Sequence, residues 1–194
     1  MNLIIDAGNT KIKWAVFKEG QIVEKLAVSS WDDLEISVIL KRYPDISTCI
    51  LSSTRTEWPM MQHVMQLYSV SFYRLSHHLS LPIQLMYDTP ETLGLDRIAG
   101  VAGAQVSFPG EPVLIIDMGT AITFDLLSSE GQFLGGNISP GMEIRFRSLQ
   151  RYTDNLPLVQ FNDQIEMLGA STVEAIQAGV QNGILFEIES YINA

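Results

Sequence analysis

The chain has a single cysteine, Cys49, in 194 residues. An intrachain disulfide framework is therefore excluded, and a reducing compartment follows naturally. Basic residues are scarce as well, with 12 Lys and Arg against 22 Asp and Glu and a net charge of −10. No dense Lys/Arg run occurs, so neither a general nucleic-acid surface nor an anionic-membrane surface is expected. Such a field repels anionic substrates, and any phosphate site has to be built locally from N–H groups, a metal and a few cations. Long hydrophobic runs are missing too. The apolar stretches are strand-sized, and no transmembrane helix is expected. The first residues enter a strand with no basic segment and no cleavage site, which predicts a cytoplasmic protein without a signal peptide. Neither a Walker A pattern nor Gly-x-Gly-x-x-Gly is present, which excludes the P-loop and Rossmann readings.

What the chain does contain is a repeat. Residues 3–8 read Leu-Ile-Ile-Asp-Ala-Gly and residues 114–119 read Leu-Ile-Ile-Asp-Met-Gly. Each apolar run ends in an aspartate and glycine, passes a small polar turn, and enters a second run of β-formers at Ile12–Phe17 or Ile122–Leu127. Both copies read as hairpins whose turns set backbone N–H groups beside a carboxylate. One such hairpin per half predicts a duplicated fold with a cleft able to hold a polyphosphate and its metal. At 46% hydrophobic the chain can bury the core this needs.

Around the hairpins the pattern predicts a third strand at 21–28 and a helix from Ser30 and Asp33 to Tyr43. A strand at 47–52, a helix at 58–68 with Pro59 in its first turn, and a strand at 70–75 follow. A helix is expected over about 96–106, before the linker signal Ser107-Phe108-Pro109-Gly110-Glu111-Pro112. Strands at 113–117, 121–127 and 132–138 come next, then a helix near 141–150, an irregular stretch to about 165, and a helix over 170–192. Two α/β units result, divided as 1–111 and 112–194.

The chemistry gathers in three places. Asp6, Gly8, Asn9 and Thr10, with Lys13 beyond them, combine a carboxylate, turn amides, donors and a cation, which suits Mg²⁺ and phosphate. Asp117-Met118-Gly119-Thr120 repeats that design. At Gly94-Leu95-Asp96-Arg97, preceded by Tyr87 and Pro90, Asp96 can take or orient a substrate hydroxyl proton while Arg97 holds an anionic group. A solvated or capping acid–base pair is the plainer alternative. Gly100, Gly103 and Ala104 read as a face for close helix packing. Other tempting residues receive structural readings: His77-His78 a solvated loop, Met60, Met61 and Met65 core or interface filler, Cys49 buried and inert, and Trp14 packed.

Together these residues resemble the type III pantothenate kinases, a branch of the acetate and sugar kinase/Hsp70/actin superfamily. The resemblance runs in order through Asp6-x-Gly8-Asn9-Thr10-x-x-Lys13, Tyr87-x-x-Pro90, Gly94-x-Asp96-Arg97 and Asp117-x-Gly119-Thr120-Ala121-x-Thr123. It continues through Gly135-Gly136-x-Ile138-x-Pro140-Gly141 and Ser171-Thr172-x-x-Ala175-Ile176-Gln177-Ala178-Gly179. It implies α/β architecture of two ribonuclease-H-like units, as in actin-like ATPases, and a homodimer with shared sites. It further implies ATP-dependent phosphorylation of pantothenate, the first step towards coenzyme A. Asp96 would be the proton acceptor, and Asp6, Gly8, Asn9, Thr10, Lys13 and Thr120 would bind ATP. Tyr87, Gly94, Leu95, Asp96, Arg97 and Thr172 would contact pantothenate, with Thr172 coming from the partner subunit. Asp117 would hold K⁺ or NH₄⁺, and Asp6 would hold Mg²⁺ or another divalent ion, directly or through water. Family members usually continue beyond the position of Ala194. A non-catalytic accessory relative, or another phosphotransferase or phosphatase on the same fold, is the alternative.

Overall fold

A computed structural model describes residues 1–8, 11–28, 33–53 and 59–194. The predicted Ser30 cap and Trp58 helix start lie outside these residues. In chain order the elements are β1 (Asn2–Ala7), β2 (Ile12–Lys18), β3 (Gln21–Val28), α1 (Asp33–Arg42), β4 (Thr48–Ser53), α2 (Pro59–Leu67) and β5 (Ser71–Arg74). Then come β6 (Gln84–Leu85), α3 (Leu95–Ser107), β7 (Val113–Met118), β8 (Ala121–Leu127), β9 (Gln132–Pro140), α4 (Met142–Arg151) and α5 (Thr172–Ile192). They form two compact units, one of Met1–Ser80 with Gly94–Asp96, the other of Leu81–Leu93 with Arg97–Ala194.

The first unit carries a five-stranded mixed sheet in the order β3-β2-β1-β4-β5. The β1-β2-β3 meander is antiparallel, and β4 and β5 add in parallel. Alternation decides which face is covered. Leu3, Ile5 and Ala7 are fully buried, with Ile12, Trp14 and Val16 on the partner strand. They meet Ile36, Ile39 and Leu40 of α1 and Met61 and Met65 of α2. Each such side chain contributes roughly 1.5–3 kcal/mol through removal from water. Cys49 lies in this core, and burial pushes its thiol up to about 12, so it is inert as expected. Trp14 is packed, Met61 and Met65 are core, and Met60 is exposed. His77 and His78 lie in a turn.

The second unit has a four-stranded sheet in the order β6-β9-β8-β7, with β7, β8 and β9 an antiparallel meander. Ile122 and Phe124 pack one face against Phe146 of α4 and Ile176, Val180 and Ile184 of α5, with Leu114 and Ile116 beside them. The linker signal becomes the turn between α3 and β7, closed by the Glu111 N–H on the Phe108 carbonyl at 3.3 Å. A side chain at Gly100 would meet Ile115 in ordinary contact, whereas among the described residues no atom lies within 4 Å of one at Gly103, so there the close-packing expectation fails. The α5 start is set by Ser171, whose hydroxyl accepts the Glu174 N–H at 3.2 Å while the Glu174 carboxylate accepts the Ala170 N–H at 2.8 Å.

Candidate active site

In the first hairpin Asp6 stands directly opposite Lys13 in the β1–β2 register, so both side chains share a face. Asp6 is half-buried and engaged by neighbours, while Lys13 is exposed. The Gly8 N–H donates to the Lys11 carbonyl at 3.1 Å and closes the turn. Asn9 and Thr10, the other expected phosphate-loop residues, lie outside the described residues.

The second hairpin reuses the plan with a different partner. Asp117 lies opposite Thr123, where the first copy has a lysine. Its turn is closed by the Gly119 N–H on the Ala121 carbonyl at 2.9 Å. Asp117 and Thr120 are exposed, and among the described residues no basic side chain forms an ion pair with Asp117. Gly141 holds this turn from below: its N–H donates to the Thr120 carbonyl at 3.0 Å. A Cβ at position 141 would fall 2.2 Å from the Gly119 carbonyl oxygen, so only glycine permits the approach. The N-terminus of α4 therefore abuts the turn carrying Thr120, and helix amides there favour an anion.

Arg97 is the best-defined feature. Its Nε and Nη2 both donate to Asp125 Oδ1, at 2.9 and 2.5 Å, and both side chains are almost wholly buried. The Tyr87 and Phe133 rings stack with centroids 6.0 Å apart, and the guanidinium carbon lies 5.8 Å from each ring centroid. Burial opposes the Arg97 charge, but hydrogen bonding to Asp125 and its charge, with smaller help from Tyr87, raise its pKa above the ordinary value. Asp125 pairs with Ile115 and Asp117 with Thr123, so Asp117, Thr123 and Asp125 occupy one face of the sheet. The Arg97 pair thus anchors α3 to the strand face that presents Asp117. Asp96, the adjoining helical residue, is exposed and has contacts of its own. Gly94 and Leu95 are half-buried, and Tyr87 is half-buried against Phe133.

Thr172 is exposed at the first position of α5, in an open groove of about 620 Å³ with Arg145, Leu149, Leu156 and Ile176. None of the other expected site residues lines that groove. Among the described residues no group of three or more His, Cys, Asp or Glu could hold a metal. One carboxylate completed by phosphate oxygens and water is the arrangement such a chain can offer Mg²⁺.

The sequence model of type III pantothenate kinases matches residues 2–194. The chain belongs to the type III pantothenate kinase family. A type III pantothenate kinase of Phocaeicola vulgatus is 41% identical over 192 residues, covering 99% of this chain and 79% of that one. Another from Christiangramia forsetii is 43% identical over 195 residues, covering 100% and 80%. Among solved structures, a conserved Baf family protein of Campylobacter jejuni, provisionally named a transcriptional activator, superposes with a TM-score of 0.60. At 22% identity, covering 97% of this chain and 78% of that one, it shows a shared fold. Arg97 of the Asp96-Arg97 pair is seated by a carboxylate, Asp125, that sequence reasoning overlooked. Asp125 follows Phe124 inside a strand, and a buried strand carboxylate demands a cation, which was a usable signal. Arg145 was missed as well, and Gly141 was read only as part of a motif. Arg145 donates to the Pro140 carbonyl at 2.7 Å, to the Ser139 hydroxyl at 2.7 Å and to Glu187, tying the end of β9 to α5.

Proposed function

We propose that this chain transfers the γ-phosphoryl group of ATP to the primary hydroxyl of pantothenate, opening coenzyme A synthesis in the cytoplasm. The carrying observation is the full-length family match together with the anchored Gly94-Leu95-Asp96-Arg97 segment. Asp96 serves as proton acceptor: an exposed carboxylate at the start of α3 can take a hydroxyl proton as the bond to phosphorus forms. The first hairpin binds the nucleotide phosphates through its turn and Lys13, and Thr120 contacts them from the second. A divalent ion such as Mg²⁺, held near Asp6, supplies charge neutralisation for the phosphate oxygens. Asp117 would hold K⁺ or NH₄⁺; its exposed carboxylate without a basic partner among the described residues supports that role.

Gly94, Leu95, Arg97 and Tyr87 belong to the pantothenate side. Thr172 completes the pocket of a second subunit in a homodimer. Exposed Ile144 on α4 and Val173, Leu185 and Phe186 on α5 support association there. The chain would comprise duplicated ribonuclease-H-like halves at 1–111 and 112–194, with the nucleotide bound in an interdomain cleft. The repeated Leu-Ile-Ile-Asp hairpins support it. The test is ADP release measured with pantothenate, ATP, Mg²⁺ and K⁺ omitted one at a time. ADP should appear only with pantothenate present, and Asp96→Asn should lower kcat by roughly 10²-fold. Pantothenate-independent turnover would reject the assignment.

A further inference from the structure

We propose that Asp125 is a positioning residue for phosphoryl transfer, acting through Arg97 on the first turn of α3. The proposal rests on the kinase reading above, with Asp96 as proton acceptor. The buried carboxylate takes two N–H bonds from Arg97 on a single oxygen, which fixes the guanidinium in both direction and depth. Three further contacts confine the pair. Tyr87 and Phe133 flank the guanidinium at 5.8 Å. Gly136, opposite Asp125 on β9, closes the remaining side: a Cβ there would lie 2.6 Å from Asp125 Oδ1, 2.9 Å from Arg97 Nη2 and 2.0 Å from the Phe124 carbonyl.

This arrangement changes the meaning of Arg97. Its charge is already offset by a carboxylate inside the fold, so a lysine would not substitute by charge alone. What Asp125 secures is the helix start. Arg97 follows Asp96 by one peptide bond, so a guanidinium pinned to β8 fixes the register in which Asp96 leaves the helix. Misplacing a proton acceptor by about 1 Å costs on the order of 10²-fold in rate. The pinned helix also sits on the strand face that presents Asp117.

Three proteins test this: Asp125→Asn, Arg97→Lys and the double variant, each assayed for kcat, KM for both substrates, and thermal midpoint. Asp125→Asn should lower kcat by at least about tenfold while KM for ATP stays within about twofold. Arg97→Lys should do the same, and the double variant should be no slower than the slower single one, because both changes cut one connection. Additive losses, or an unchanged kcat in Arg97→Lys, would overturn the proposal and leave Arg97 a substrate contact alone. The Arg97→Lys result decides alone if Asp125→Asn is recovered only as aggregate. Amide exchange provides a readout free of turnover: Asp125→Asn should speed exchange in the first turns of α3 by about tenfold relative to α5. Equal exchange in the two helices would overturn the tether. Absence of pantothenate turnover in the wild-type protein would instead reject the parent reading, leaving the exchange result to judge the tether.

Discussion

The same hexapeptide plan occupies two different settings in this chain. In β1, Leu3 and Ile5 are fully buried, with β2 on one side and parallel β4 on the other. In β7, Leu114, Ile115 and Ile116 are only half-buried, and among the described residues β7 pairs with β8 alone. The charge settings differ in parallel. Asp6 faces Lys13, whereas Asp117 faces Thr123. The first turn also has one more residue between its flanking pairs, Ala7–Ile12 against Met118–Ile122. The repeated strand motif therefore comes with the same hairpin device, while the residue opposite the aspartate differs. On the proposed reading, lysine opposite suits the first site to phosphate, and threonine opposite leaves Asp117 for a cation.

The largest expected effect breaks the comparison through stability. Ile5→Ala should cost about 3–5 kcal/mol in denaturant unfolding, and Ile116→Ala no more than about 2, because the half-buried site creates less cavity. Equal losses would contradict the difference in covering. Next, Lys13→Thr gives the first hairpin the second one's chemistry. It should lower kcat/KM for ATP by about 10²-fold, the scale of one lost stabilising donor, as read by steady-state kinetics.

The smallest effect is on cation response. Thr123→Lys supplies Asp117 with an exposed partner worth at most about 1 kcal/mol. It should bring rates in potassium and sodium buffers of matched ionic strength within about twofold of each other, where the unmodified protein should run faster in potassium. A potassium preference that survives both this change and Asp117→Asn would remove Asp117 from the cation role.

Local chemistry was readable where period and turn residues coincided. The expected strands at 21–28 and 121–127 match β3 and β8 residue for residue. Strand β6, only Gln84–Leu85, carries too little pattern to be seen, since its existence depends on pairing with Gln132 and Phe133. The Pro90–Thr92 turn of 3₁₀-helix was likewise hidden. At the site, residue types were legible but directions were not. Gly94-Leu95-Asp96-Arg97 announces an acid and a base. Only the tertiary fold shows Arg97 turned inward onto Asp125, a residue 28 positions away. Gly136 and Gly141 stood in the sequence as motif glycines, and their reasons are contacts with distant carbonyls that no spacing encodes.

The destination of the phosphoryl group separates a pantothenate kinase from every alternative most directly. Incubation with ATP labelled in its γ-phosphate, pantothenate, Mg²⁺ and K⁺ should move the label into a phosphate ester on the pantothenate primary hydroxyl. That transfer should fall by about 10²-fold in Asp96→Asn protein that keeps its fold. Label remaining on ATP, or appearing only as inorganic phosphate, would contradict the account.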